Sequence, residues 1–304
     1  MATPISAHTA LVGLLGDPVR HSLSPAMHNA ALAALGLDWI YLALPTPATH
    51  LETVLQALAA VECRGLNVTI PHKQAVAHLC AELSPLASRL GAVNTLLRRP
   101  EGGWLGTNTD VEGFLAPLQS GGTGPAGSWA EQAAVVLGCG GSARAVVAAL
   151  VELGLGRIAV TGRRPQVLEA FVANCQDWAP QLQGLAWEDL AGSLKQARLV
   201  VNCTPVGMAS GQDPSAAQHC PLGAEHLEVL SSCCTVYDLI YTPRPTVLLK
   251  SAAERGCACI DGLEMLVQQG AAALRLWTGL AEVPVAAMRD AARTALGEGR
   301  PRAD

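Results

Sequence analysis

The sequence predicts an α/β protein of two domains, and three observations carry that reading. Short apolar runs alternate with stretches of helical period from end to end, the pattern of parallel sheets covered by helices. A glycine- and proline-rich stretch, residues 119–129, interrupts the alternation near the middle of the chain. Directly after it, the turn Gly138-Cys139-Gly140-Gly141 sits between a buried-strand pattern and an alanine-rich helix, as if a second unit begins there. The length of 304 residues, half of them apolar, gives both units enough material for a core.

Taken in order, ALVGLLG (10–16), WIYLALP (39–45) and RGLNVTI (64–70) read as strands, with helical periods at 25–36 and 48–60 between them. AVNTLLRR (92–99) and GGWLGTN (102–108), separated by Pro100 and Glu101, read as a hairpin. In the second unit, residues 133–154 form strand, turn and helix, and RIAVTGRR (157–164) is the next strand with its exit. ARLVVNCTP (197–205) and TVYDLIY (235–241) continue that sheet, whereas residues 206–230 are a long polar connection without an assignable element. DGLEMLVQQGAAALRLWTG (261–279) is a strong helical pattern, and 297–304 read as a disordered tail. The C-terminal helices have no other apolar face to cover than the first domain. The expected division is therefore 1–109 plus 263–304 for one domain and 110–262 for an inserted nucleotide-binding domain, with a cleft between them.

Composition narrows the partners. A formal net charge of −5 leaves no electrostatic footprint for nucleic acid or an anionic membrane, so a small molecule is the expected partner. The first residues lack the basic and apolar regions of a signal peptide, and no apolar run is long enough to span a bilayer, which together predict a cytoplasmic protein. Ten scattered cysteines form no C-x-x-C pair and eight histidines form no H-E-x-x-H cluster, so the thiols read as reduced, small hydrophobes and no metal site is expected. Oligomeric state stays open, a homodimer being one arrangement.

The glycine turn is the first candidate site. Gly138, Gly140 and Ala143 fit G-x-G-x-x-[G/A] between strand and helix, with Gly141, Ser142 and Arg144 on the entering turn. The first glycine permits the tight turn, the second lets backbone approach a pyrophosphate, and Ala143 allows the helix to pack closely on the strand. Helix N–H groups would meet the phosphates. The competing reading is a tight turn that binds nothing. After the next strand a carboxylate would bond a ribose 2′-hydroxyl and an arginine would meet a 2′-phosphate; here Gly162, Arg163 and Arg164 follow, and the nearest acid, Glu169, is already inside a helix. NADP(H) is the expected cofactor, with solvated arginines as the plainer alternative.

The second candidate is Lys73, in N-V-T-I-P-H-K (67–73). A lysine at the head of a helix faces the positive end of the macrodipole and commonly points at water, so it needs a partner to be more than that.

The chain resembles the shikimate dehydrogenase family over nearly its whole length. The resemblance rests on V-R-H-S-L-S-P-A-M-H-N (19–29), N-V-T-I-P-H-K, G-A-V-N-T (91–95), G-T-N-T-D-V-E-G (106–113), the glycine turn, N-C-T-P-V-G-M (202–208), Y-D-L-I-Y-T-P (237–243) and D-G-L-E-M-L-V-Q-Q (261–269), in the family's order. It implies reversible, NADP-dependent reduction of 3-dehydroshikimate to shikimate in aromatic amino-acid biosynthesis. It also implies that Lys73 and Asp110 pair at the substrate hydroxyl, Asp110 being otherwise an N-cap or serving as both. Ser22 and Ser24 then take the substrate carboxylate, although Ser24 before Pro25 is equally a good N-cap. Asn67, Thr69, Asn94, Tyr241 and Gln269 complete the implied substrate shell, where Asn and Thr have local turn chemistry as their alternative. Thr204, Met208 and Gly262 join the implied cofactor contacts. The chain departs from the family after the second nucleotide-binding strand, where N-R-T with a further basic residue is usual: here Gly162-Arg163-Arg164 stand, with Val167 at the basic position. Arg164 is the residue available to replace the missing partners. Two rival readings share these blocks: a quinate or quinate/shikimate dehydrogenase, and a non-catalytic ligand sensor.

Overall fold

The computed structural model describes residues 5–120, 128–209 and 213–298. Most of the expected linker, part of the 206–230 connection and most of the expected tail lie outside the described residues. The chain divides into two compact units, one comprising the residues up to Gly113 and those from Leu266, the other Phe114–Met265.

The first unit holds β1 (Ala10–Gly16), α1 (Ser24–Ala34), β2 (Trp39–Pro45), α2 (Leu51–Ala60), β3 (Gly65–Val68), α3 (Lys73–Leu79), β4 (Glu82–Leu83), α4 (Pro85–Leu90), β5 (Thr95–Arg98), β6 (Trp104–Thr107) and the first turn of α5 (Asp110–Gln119). Its sheet runs β2-β1-β3-β5-β6-β4. β1 pairs in parallel with β2 and β3, and its residues Val12, Leu14 and Leu15 are buried, as expected of a strand covered on both faces. The expected hairpin makes this sheet mixed: β5 is antiparallel to β6, because a short hairpin can return the chain only in that sense, and it is antiparallel to β3 as well. The hairpin loop is residues 99–103, longer than the sequence suggested, and Gly102 and Gly103 take positive φ within it. β3 also ends earlier than expected, at Val68, since Pro71 has no N–H to give and biases the residue before it away from regular pairing. Leu15, Leu55, Leu66, Val76, Leu96 and Trp104 form the core beneath this sheet, and the Trp104 indole donates to the Leu55 carbonyl at 3.0 Å.

The second unit holds β7 (Ala133–Leu137), α6 (Gly141–Glu152), β8 (Arg157–Thr161), α7 (Pro165–Cys175), β9 (Leu182–Gly184), α8 (Leu190–Gln196), β10 (Leu199–Asn202), α9 (Ala224–Glu228), β11 (Thr235–Asp238), α10 (Val247–Ala253) and β12 (Ala258–Ile260). All six strands are parallel, in the order β9-β8-β7-β10-β11-β12. This is the doubly wound order in which the direction of winding reverses beside the first strand, here between β7 and β10. The unassigned polar connection contains α9 and a short 3₁₀ turn at Pro214–Gln218. α11 (Gly262–Thr278) and α12 (Val285–Ala295) follow, and α12 lies along α1 within the first unit. Among the described residues no helix is long and apolar enough to cross a membrane.

Gly262, which the resemblance places among cofactor contacts, has a packing reason to be glycine. A Cβ built there lies 2.0 Å from the Leu239 carbonyl oxygen, and the obstacle is backbone, which cannot swing aside. Gly262→Ala is expected to cost about 3 kcal/mol or more of stability, read as a lowered urea midpoint with an unchanged slope.

Candidate active site

In the first unit a lysine and a carboxylate meet 37 positions apart in sequence: Lys73 Nζ lies 2.6 Å from Asp110 Oδ2. Both side chains are largely buried, at 13 % and 7 % exposure, so the pair is shielded from the screening that makes surface pairs weak. Lys73 opens α3 and Asp110 opens α5. The carboxylate suits its helix N-terminus, while the lysine sits against the dipole of its own helix and is held by the opposite charge. Asp110 is the first helical residue rather than a cap; the Asn108 side-chain oxygen accepts from the Asp110 N–H at 3.0 Å.

Asn94 fixes the other carboxylate oxygen, donating from Nδ2 to Asp110 Oδ1 at 2.8 Å. It is itself held at its carbonyl by the Thr109 N–H (2.7 Å) and the Thr95 hydroxyl (3.0 Å). The backbone cooperates, since the Val93 N–H bonds the Lys73 carbonyl and ties the Asn94 segment to the head of α3. Gln269 on α11 presents Oε1 to the Asn94 amide at 3.4 Å and anchors its own amide on the Leu266 carbonyl. Asn67, paired across the β3–β5 ladder with Thr95, donates to the Thr95 hydroxyl at 3.2 Å and accepts from the Tyr41 hydroxyl at 2.8 Å. The Tyr41 hydroxyl in turn bonds Ser24, and the Ser22 hydroxyl donates to that of Ser24 at 3.1 Å. One continuous chain of hydrogen bonds thus joins Ser22 to Lys73.

Thr69 is half-buried just beyond β3, with its methyl group against Gly16. The N-cap alternative for Ser24 fails: Ser24 is the first residue of α1, Leu23 takes the cap position, and no side chain caps that end. Its hydroxyl is engaged with Ser22 and Tyr41 instead. Tyr241 lies in the second unit, half-buried after β11, where burial raises its pKa. Tyr41 is the residue the sequence reading missed, and the only signal was one phenol in an otherwise apolar strand. Thr109 and Asn108 were inside a quoted block but carried no distinguishing pattern.

In the second unit, Gly138 takes φ +108° after β7 and Gly140 precedes the first turn of α6 in extended conformation. A Cβ at Gly140 would meet no atom within 4 Å, so the backbone there is open to approach, while Ala143 is fully buried. Gly141 and Ser142 form the half-buried first turn of α6. Arg144 places its guanidinium over the Phe171 ring, 5.8 Å from the centroid. Arg163 and Arg164 are exposed beyond β8, and Arg163 lines a groove of about 970 Å³ with Gly162, Leu168, Glu169, Trp187 and Val206. A Cβ at Gly162 would lie 2.9 Å from the Cys139 sulfur, a side-chain atom that would have to shift to admit it. Thr204 is bound by its N–H and hydroxyl to Asn202 Oδ1, which Asp238 orients from β11, and Met208 is exposed. Open glycine backbone at a helix N-terminus, with two exposed guanidiniums and no acid directly after β8, fits a dinucleotide carrying a 2′-phosphate.

A doubly wound sheet with a phosphate-type turn, in a chain that also buries a lysine–carboxylate pair among amides and hydroxyls, defines a dinucleotide-dependent α/β oxidoreductase. The family model for the shikimate dehydrogenase substrate binding domain matches residues 14–96, and that for the shikimate 5′-dehydrogenase C-terminal domain matches 262–293. A shikimate dehydrogenase (NADP(+)) of Synechococcus sp. (strain JA-3-3Ab) is 50% identical over 97% of this chain and 97% of its own. The chain belongs to the shikimate dehydrogenase family. Among solved structures, shikimate 5-dehydrogenase from Thermus thermophilus in complex with NADP(H) and shikimate is 39% identical with a TM-score of 0.79, covering 94% of this chain and 100% of that one. Quinate dehydrogenase from Corynebacterium glutamicum in complex with NAD is 31% identical with a TM-score of 0.80, covering 93% and 98%.

Proposed function

We propose that this chain is an NADP-dependent shikimate dehydrogenase, which reversibly reduces 3-dehydroshikimate to shikimate on the route to aromatic amino acids. The observation that carries the reading is the buried Lys73–Asp110 pair at 2.6 Å, held by Asn94 within a shell of hydroxyls and amides suited to a polyhydroxy acid. Ser22 and Ser24 take the substrate carboxylate, and Asn67, Thr69, Asn94 and Gln269 serve its hydroxyls. The glycine turn and α6 would hold the pyrophosphate, with Arg163 and Arg164 on the 2′-phosphate, and NADP(H) bound there supplies or accepts the hydride.

As the ketone is reduced, negative charge develops on its oxygen, and the Lys73 ammonium stabilises that charge and delivers a proton from Nζ. Asp110 keeps the ammonium oriented, and the bond from Asn94 leaves Oδ2 to face Lys73. In the reverse direction the same pair takes the proton of the shikimate hydroxyl. Incubating the purified protein with 3-dehydroshikimate and NADPH tests the reading: cofactor oxidation should match shikimate formed, identified by proton NMR. Cofactor oxidation without shikimate, or neither, would count against it. A quinate enzyme is the second reading, favoured by Glu169 lining the same groove as Arg163, where a carboxylate could meet an unphosphorylated ribose.

A further inference from the structure

His28 and Asn29 follow the two serines on α1 and belong to neither set of proposed ligand contacts. His28 is fully buried, and both its ring nitrogens lack a hydrogen-bond partner among the described residues. Burial pushes its pKa down to about 3, so the ring is neutral. Orphaned buried nitrogens cost stability, which means the ring is useful for its faces rather than for its polar atoms. One face lies flat on Tyr41, with centroids 4.2 Å apart and planes within 2°. Trp277 tilts against both rings, at 5.5 Å from His28 and 6.2 Å from Tyr41. Gly270 of α11 makes the room, since a Cβ there would lie 3.2 Å from His28 Nε2.

Asn29 holds the same tyrosine by its backbone. β2 is an edge strand, so the outward N–H and C=O of Tyr41 have no neighbouring strand to bond. The Asn29 amide takes both, donating to the Tyr41 carbonyl at 2.9 Å and accepting from its N–H at 2.9 Å. Ser24 stands one turn before His28, on the same face of α1, and bonds the phenol. Helix α1 therefore grips one tyrosine at hydroxyl, ring and backbone, and that hydroxyl is the link between the serine loop and Asn67.

We infer that His28 and Asn29 are positioning residues for substrate binding: stack and amide clamp hold the Tyr41 hydroxyl between Ser24 and Asn67, and thereby set the serine loop against the shell at the strand ends. The inference rests on the proposed function of that shell. It separates the ring from its nitrogens, so His28→Phe, which keeps a flat face, should retain the parent KM for shikimate and at least the parent Tm. His28→Leu, which keeps volume but no stacking face, should raise that KM roughly tenfold, the worth of about one well-placed hydrogen bond, with kcat and the KM for NADP little changed. Tyr41→Phe sets the scale for losing the hydroxyl alone. A folded His28→Leu protein with the parent KM, or a His28→Phe protein with the raised one, would overturn the inference. Should His28→Leu not fold, Asn29→Ala takes its place: a shikimate-specific rise in KM supports the inference and an unchanged KM overturns it. The parent is assayed alongside, and an inactive parent removes the functional reading rather than this one.

Discussion

Lys73→Ala is expected to lower kcat roughly a thousandfold with a modest change in the KM for shikimate, because it removes a proton donor needed chiefly in the transition state. Lys73 Nζ is bonded to Asp110 Oδ2 while Oδ1 is committed to Asn94, and among the described ion pairs no other cation meets Asp110. The substitution also leaves a carboxylate with 7 % exposure without its cation, and breaking a buried pair costs about 3–5 kcal/mol. Activity must therefore be compared at a temperature where thermal melts show both proteins folded. Near-normal turnover by folded Lys73→Ala protein would remove the pair from the mechanism, and a large rise in KM with kcat preserved would make Lys73 a binding residue instead.

The second large effect is on cofactor choice. Arg163→Ala is expected to raise the KM for NADPH roughly 10- to 100-fold, as one charge-assisted phosphate contact is lost, and to leave the KM for NADH nearly unchanged. Arg163 and Arg164 are both exposed beyond β8, and Gly162 before them carries no side chain that could help. Steady-state titration of each reduced cofactor at saturating 3-dehydroshikimate checks this. Equal losses with both cofactors would mean that Arg163 stacks on a shared part of the dinucleotide and does not read the phosphate.

How much of this was legible in the sequence depended on distance along the chain. The strand, turn and helix of 133–154 could be read from period alone, since every signal is local, and β7 and α6 fall within it. The strands β4, β9 and β12, of two or three residues, are too short to show a period and owe their pairing to neighbours. Lys73 and Asp110, 37 positions apart, are an ordinary lysine and aspartate in local context, and only the resemblance paired them. Tyr41 was hidden for the opposite reason, because it continues an apolar strand pattern without a break. Ser24 obeyed a good local rule for caps and yet was recruited by a tertiary partner. The approach of Cys139 to Gly162, where the chain departs from the family pattern, joins two turns that no window of sequence spans.

The decisive measurement is steady-state oxidation of shikimate and of quinate by the purified protein, each with NADP and with NAD, followed by absorbance of the reduced nicotinamide. Lys73 and Asp110, linked by a chain of hydrogen bonds to Ser22 and Ser24, with arginines and no acid directly after β8, require a strong preference for shikimate with NADP. Comparable or better rates with quinate or NAD would contradict that assignment in favour of the quinate branch, and no turnover with any pair would contradict an enzymatic role altogether.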